Sequence, residues 1–136
     1  MRREASGEGL IAFLETMRTM RAGCAWKAAQ GHRSLAPYVL EEAQEVVEAI
    51  DEGVATGDWN HLKEELGDLL LQVYFHAVVA EEAGEFTIDD VVHELTEKML
   101  RRNPHVFGPE AEGGPYTVDE VEAIWQAAKA RERGEA

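Results

Sequence analysis

Cysteine is almost absent from this chain of 136 residues: Cys24 stands alone, so no disulfide framework forms within it. Long apolar runs are missing as well. The longest uncharged stretch, Leu69 to Ala80, contains Gln72 and His76 and is too short to span a bilayer. No secretory leader is legible, because Arg2 and Arg3 precede only a short apolar stretch that soon meets Glu15. These absences make a cytoplasmic protein without a membrane partner the expectation. Basic residues are scarce: 13 Lys and Arg stand against 27 Asp and Glu, for a formal net charge of −14. That excludes a grip on nucleic acid, which needs a basic surface. A polyanionic ligand is compatible with such acidity only where divalent cations stand between protein carboxylates and ligand phosphates.

What remains is ordinary globular composition, 45% apolar and 29% charged. The length suits one domain, residues 1–136 with a core from about 8 to 133, able to fold without staples. There is no repeat, no low-complexity block and no strand pattern. Five helical stretches are expected. The first runs from about Glu8 to Arg21, with Leu10, Phe13, Leu14 and Met17 at helical spacing. The second starts after Ser34 as N-cap, with Pro37 in its first turn, and ends near Gly53. The third opens at Asp58 and runs to about Ala83. The fourth opens at Thr87 and ends before Pro104. A Gly- and Pro-containing loop from Asn103 to Tyr116 precedes the fifth, which opens on a Thr117/Glu120 capping box and runs to about Arg133. The residues from Gly134 to Ala136 are expected to fray. Helices with short connections imply an all-α bundle.

The carboxylates on the second and third helices carry the chemistry. On the second, Val39, Leu40, Ala43, Val46, Val47 and Ile50 make an apolar stripe, and Glu41, Glu45, Glu48 and Glu52 lie on the far side. Glu42 falls on the border beside Val46, so Glu42 and Glu45 aim along the edge of the core. The third helix is apolar nearly all round from Leu69 to Ala80, except for one polar stripe: His61, Glu65, Asp68, Gln72 and His76. Charges at the start of a buried helix are costly unless compensated. Four carboxylates brought together repel one another, and a divalent cation relieves that. Carboxylate and water oxygens are what Mg²⁺ prefers. A Glu-rich helix is most often only a solvated face, and that reading holds for Glu41, Glu48 and Glu52 taken alone. An acidic seam in a non-catalytic, metal-binding or oligomeric helical adaptor is the competing reading of the paired motifs. A di-iron bundle is disfavoured, since neither helix carries the Glu-x-x-His pair it uses.

These residues also resemble a known family. Leu40-Glu41-Glu42-Ala43-Gln44-Glu45-Val46 followed by Glu64-Glu65-Leu66-Gly67-Asp68-Leu69-Leu70 is similar to the E-E-x-x-E … E-x-x-D signature of MazG-type nucleoside triphosphate pyrophosphohydrolases. Arg101-Arg102-Asn103-Pro104-His105-Val106-Phe107-Gly108 resembles that family's R-R-H-P-H-V-F-G segment. Trp125 with Lys129 resembles its W-x-x-x-K, and Gln30, His32, Ser34 and Leu35 its Q-T-H-x-S-L. The carboxylate signature is shared with dimeric dUTPases and phosphoribosyl-ATP pyrophosphohydrolases; the P-H-V-F-G segment points to MazG. The chain departs from the pattern at Cys24-Ala25-Trp26-Lys27, where C-P-W-D is usual, at Gly31, and at Asn103.

The resemblance implies a four-helix core with an additional C-terminal helix, pairing into homodimers or higher homo-oligomers. It implies hydrolysis of nucleoside triphosphates, non-canonical ones included, to monophosphate and pyrophosphate, as housecleaning of the nucleotide pool. A narrow dUTPase-like specificity is the variant within the same class. Glu42, Glu45, Glu65 and Asp68 would hold Mg²⁺, with Mn²⁺ as a substitute. Glu41 or Glu45 would act as general base. Lys98 and Arg102, four apart on the fourth helix, would meet phosphate oxygens, with Lys129 beside them in the substrate site. Trp125 would stack on the base. His61 and His76 read as outer or structural groups.

Overall fold

The computed structural model describes residues 4–134, so Arg2, Arg3 and the expected fraying of Glu135 and Ala136 lie outside the described residues. It is all-helical. Seven α-helices occur among the described residues: α1 Glu8–Gly23, α2 Ala25–Ala28, α3 His32–Thr56, α4 Asn60–Glu82, α5 Ile88–Arg102, α6 Pro104–Phe107 and α7 Val118–Glu132. A 3₁₀ turn spans Pro109–Gly113. The five long helices match the expected five. The two short ones fill segments that showed no helical period. The chain forms two compact units, one up to Ile88 and one from Asp89 onward.

In the first unit, α3 packs chiefly on α4, and α1 packs on α2 and α4. The core is Met17, Leu35, Tyr74, Phe75 and Val78, bordered by Phe13, Leu14, Met20, Leu71, Val79 and Ile88. Phe13 meets Tyr74 edge to face at 4.9 Å, and the Tyr74 hydroxyl donates to the Leu10 carbonyl at 2.8 Å. This satisfies the one polar atom the ring brings inside. Arg21 pins α2 to α1: its Nη1 donates to the Lys27 and Gln30 carbonyls at 2.6 and 3.0 Å, and its Nε pairs with Glu82 on α4.

The α3–α4 turn is built for close approach. Gly57 takes φ 78°, a left-handed conformation that suits glycine, and its N–H closes α3 on the Gly53 carbonyl at 2.8 Å. The Trp59 ring lies so close over Gly53 that a Cβ there would stand 2.3 Å from it. Helix α3 therefore continues past Gly53, where composition suggested an end. The expected opening of α4 at Asp58 is corrected: Trp59 is the residue at the N-cap and makes no side-chain capping bond, while Asp58 lies one residue earlier with its Oδ1 accepting from the Asn60 N–H at 3.0 Å.

Two expectations at the start of α3 are corrected. Ser34 lies inside the helix, and its hydroxyl reaches back to accept the Gly31 N–H at 2.9 Å. Pro37 consequently sits in the second turn rather than the first, where its missing N–H leaves the Arg33 carbonyl without the usual helical donor. The apolar stripe of α3 is likewise only partly covered within the chain. Leu35, Ala49 and Gly53 are buried, but Leu40 and Val54 are 75% and 74% exposed, and Val47 and Ile50 are exposed too. On α4, Leu66, Leu70 and Val73 are exposed, although the following turns are buried.

In the second unit, the Thr117/Glu120 capping box forms as expected, with reciprocal bonds of 3.2 Å. The loop before it is more ordered than its composition suggested. The Tyr116 hydroxyl donates to the Glu110 carbonyl at 2.5 Å, and its ring meets His105 edge-on.

Candidate metal and nucleotide site

The helical period sets the site. Glu42 and Glu45 on α3, and Glu65 and Asp68 on α4, are each three apart, so each pair shares one helix face. Packing α3 against α4 brings the two faces together. One oxygen from each of the four carboxylates falls within 4.8 Å of the others. Glu65 is 8% exposed, and the other three are partly buried. Glu41 does not join this group and is exposed.

The electrostatics show the cost of the arrangement. Burial holds the Glu42 carboxyl above the usual carboxylate range, and the charges of Glu45 and Asp68 push it further. Glu65 is raised for the same reasons, burial first and then contact with Glu45; His61 opposes the shift. Glu45 presses on both Glu42 and Glu65, and like charges this close are relieved by a proton or a cation between them. Glu42 Oε2 and Glu65 Oε2 are buried and take no hydrogen bond from any donor among the described residues. Orphaned buried carboxylate oxygens, converging with two further carboxylates, form a donor set that fits a hard divalent cation.

The polar stripe of α4 continues beyond Asp68. Gln72 is buried with its Oε1 unpartnered, and His76 Nδ1 meets His32 Nδ1 of α3 at 2.7 Å. The His32 and His76 rings lie parallel, with centroids 5.0 Å apart. At the other end, His61 bridges the two helices: Nδ1 lies 2.5 Å from Glu52 Oε2 and Nε2 lies 3.1 Å from Glu65 Oε1. By helical period alone Glu52 belongs to a solvated face. Its partner lies nine residues on, across the turn, a separation that no helical period reveals.

The other expected substrate residues belong to the second unit. Arg102 and Arg101 both pair with Glu132, near the end of α7. Trp125 donates its indole N–H to Asn103 Oδ1 at 2.7 Å, and Asn103 Nδ2 donates to the Met99 carbonyl at 2.8 Å. The departure at Asn103 thus holds α7 to the end of α5. Trp125 is 39% exposed, Lys129 lies one turn further along α7, and Lys98 is partly buried on α5. In the first unit, the Lys27 ammonium sits over its neighbour's Trp26 ring at 5.8 Å, and that ring meets Tyr38 edge-on.

Comparison with known proteins identifies relatives of the chain. Residues 30–107 match the MazG nucleotide pyrophosphohydrolase domain. The chain is 46% identical over 127 residues to a nucleoside triphosphate pyrophosphohydrolase/pyrophosphatase MazG of Thermotoga maritima, covering 93% of this chain and 45% of that protein. It is 39% identical over 126 residues to the Escherichia coli K12 nucleoside triphosphate pyrophosphohydrolase, covering 93% and 45%. It is 42% identical over 129 residues to the one from Mycobacterium tuberculosis, covering 93% and 37%. The chain thus spans half or less of the length of these relatives. A crystal structure of a MazG-related protein from Thermotoga maritima superposes with a TM-score of 0.70 at 25% identity, covering 88% of this chain and 97% of that one.

Proposed function

Because the chain belongs to the MazG nucleotide pyrophosphohydrolase family, we propose that it hydrolyses nucleoside triphosphates to the monophosphate and pyrophosphate, using Mg²⁺ held by Glu42, Glu45, Glu65 and Asp68. One observation carries this reading: four carboxylates from two helices converge within 4.8 Å, and two of their buried oxygens have no donor among the described residues. A solvated face spreads its acids into water, whereas here burial and neighbouring charge raise two of the four carboxyls.

When bound, the divalent cation neutralises phosphate oxygens and polarises the phosphorus under attack. The chain's own groups do the rest. Glu42, Glu45, Glu65 and Asp68 hold the cation and so admit a polyanion to an acidic surface. Glu45, or the exposed Glu41 beside the cluster, accepts the proton of the attacking water. The water oxygen bonds to one of the two phosphorus atoms flanking the α–β bridge as the bridging P–O bond breaks, and the other phosphate group leaves with the electron pair, giving the monophosphate and pyrophosphate. In the second unit, Lys98, Arg102 and Lys129 are the cations suited to phosphate oxygens and Trp125 is the ring suited to stack on a base. Cys24 is not a nucleophile in this scheme, since no base partners it.

The assignment extends to assembly and place. Exposed Leu40, Val47, Ile50 and Val54 recur along α3 at heptad spacing, which supports a homodimer that buries this line. A lone free thiol supports a reducing, cytoplasmic setting, and among the described residues no helix is long and apolar enough to cross a membrane. The role is housecleaning of the nucleotide pool.

Purified protein incubated with Mg²⁺ and a panel of ordinary and altered nucleoside triphosphates tests the proposal through pyrophosphate release. Release from several is the expected result. Release from dUTP alone narrows the role to a dUTPase-like enzyme. Binding of metal and nucleotide with no release on any substrate overturns the enzyme reading and leaves a metal-binding adaptor.

A further inference from the structure

The Glu52–His61–Glu65 bridge lies outside the four-carboxylate group, yet it touches one of its members. Glu52 is on the penultimate turn of α3, His61 on the first turn of α4, and Glu65 one turn further on. His61 and Glu52 are both about half exposed. Ion pairs this exposed contribute little to folding, so a purely structural staple would have small consequence. The consequence falls instead on Glu65, which is buried and surrounded by Glu42, Glu45 and Asp68. Like charges drive its side chain away from the cluster. His61 supplies the only hydrogen bond to Glu65 Oε1 among the described residues, while Oε2 stays buried and without a donor.

We propose that His61, itself oriented by Glu52, is a positioning residue that fixes the Glu65 carboxylate so that a single oxygen, Oε2, is presented to the divalent cation. This rests on the metal site proposed above and adds a role to residues outside it. The ring offers one nitrogen to each acid, so its orientation is set by Glu52, and the orientation in turn sets the plane of the Glu65 carboxylate. Partners behind ligating carboxylates typically carry roughly 10–100-fold of metal affinity.

The test uses the full chain without nucleotide, with Mn²⁺ as the probe and free Mn²⁺ read by electron paramagnetic resonance. His61→Ala is expected to weaken Mn²⁺ binding by roughly 10–100-fold. Glu52→Ala weakens it less, and the double variant binds no worse than His61→Ala alone, because Glu52 acts only through the ring. His61→Gln, which keeps one N–H donor, recovers part of the loss. Glu48→Ala removes an equal charge from the solvated side of α3 and leaves affinity as in the unaltered chain. Melting temperatures of the metal-free variants stay close together, as a pair this exposed implies, so a fall in Mn²⁺ affinity without a fall in melting temperature is the readout that a merely structural role would not give. In turnover assays, the Mg²⁺ concentration for half-maximal rate rises while kcat at saturating Mg²⁺ is retained. Unchanged Mn²⁺ affinity in His61→Ala, or additive losses in the double variant, overturns this proposal and leaves the metal site standing. Failure of the unaltered chain to bind Mn²⁺ overturns the metal site and this proposal with it.

Discussion

The Arg102 guanidinium lies along the Glu132 carboxylate, with Nη2 2.8 Å from Oε2 and Nε 3.2 and 3.3 Å from the two oxygens. Arg101 Nε approaches the same carboxylate at 2.7 Å. Glu132 therefore offers Arg102 the two-oxygen edge that a phosphate would offer. The two arginines hold its carboxyl down at about 2, so it remains charged at any working pH.

If Arg102 meets phosphate during turnover, Glu132 competes for it. Glu132→Gln is expected to lower the KM for nucleoside triphosphate by up to about 5-fold, the range of an exposed ion pair. Arg102→Ala is expected to raise it. Steady-state pyrophosphate release measures both. A KM unchanged in the two variants removes Arg102 from substrate binding.

Glu42→Gln and Asp68→Asn each remove one ligand charge while keeping shape. The loss of several kcal/mol of transition-state stabilisation lowers kcat/KM by about 10²-fold or more. The metal-free fold is expected to melt no lower than the unaltered chain, because burial first and neighbouring charge second disfavour an ionised Glu42, and each substitution removes one charge from the group. Circular dichroism melting alongside the activity assay checks both halves. Full activity in both variants would sink the site.

The same shifts fix the sign of a pH dependence in chelated protein. Burial and neighbouring charge raise Glu42 and Glu65 in the fold, so the folded state binds more protons than the unfolded one just above the ordinary carboxylate range. Their favourable contribution is present below the unfolded value and is lost as pH rises through the folded one. Metal-free protein should therefore gain melting temperature as pH is lowered from neutral toward about 5. Added Mg²⁺ should raise the neutral-pH value and flatten the slope. A slope of opposite sign in the chelated chain, or one identical in Glu42→Gln, contradicts this origin.

How far the sequence foretold these features depends on their period. Glu42/Glu45 and Glu65/Asp68 were legible because three-residue spacing on a helix is itself a statement about direction, and the polar stripe on α4 stood out against its apolar neighbours. Contacts such as Glu52–His61 and Arg102–Glu132 were not, since they are made by turns and packing that no single helix encodes. The exposed Leu40 and Val47 mark another limit. Amphipathicity says that a face is apolar, not which body covers it. Ser34 resembles an N-cap in sequence but sits at the third helical position, where its hydroxyl makes the capping bond from within the helix; boundary residues with the same chemistry look alike in sequence.

Gly53 is a position where one methyl group decides the geometry of the α3–α4 pair. A Cβ there would stand 2.3 and 2.4 Å from Trp59 ring carbons. Gly53→Ala is expected to cost about 1–3 kcal/mol as the ring or the turn is displaced. Urea unfolding measures it. Trp59→Ala combined with Gly53→Ala should cost less than the sum of the two, since the clash is gone.

The apolar line on α3 yields the last expectation. Leu40, Val47 and Val54 repeat every seven residues with Ile50 between them, and all four are exposed in the single chain. An exposed apolar line of this length is the kind of surface that an interface covers. A second copy of α3 would present the same line about a two-fold axis and would cover it without bringing in foreign chemistry. Sedimentation equilibrium should therefore give a dimer. Leu40→Asp with Val47→Asp should shift it to monomer, because each dimer would then bury four carboxylates, two from each copy, along an apolar seam. The paired variant is also expected to lose melting temperature with dilution no longer mattering, whereas the unaltered protein melts lower as it is diluted. A concentration-independent monomer in the unaltered chain would leave the α3 line to some other partner.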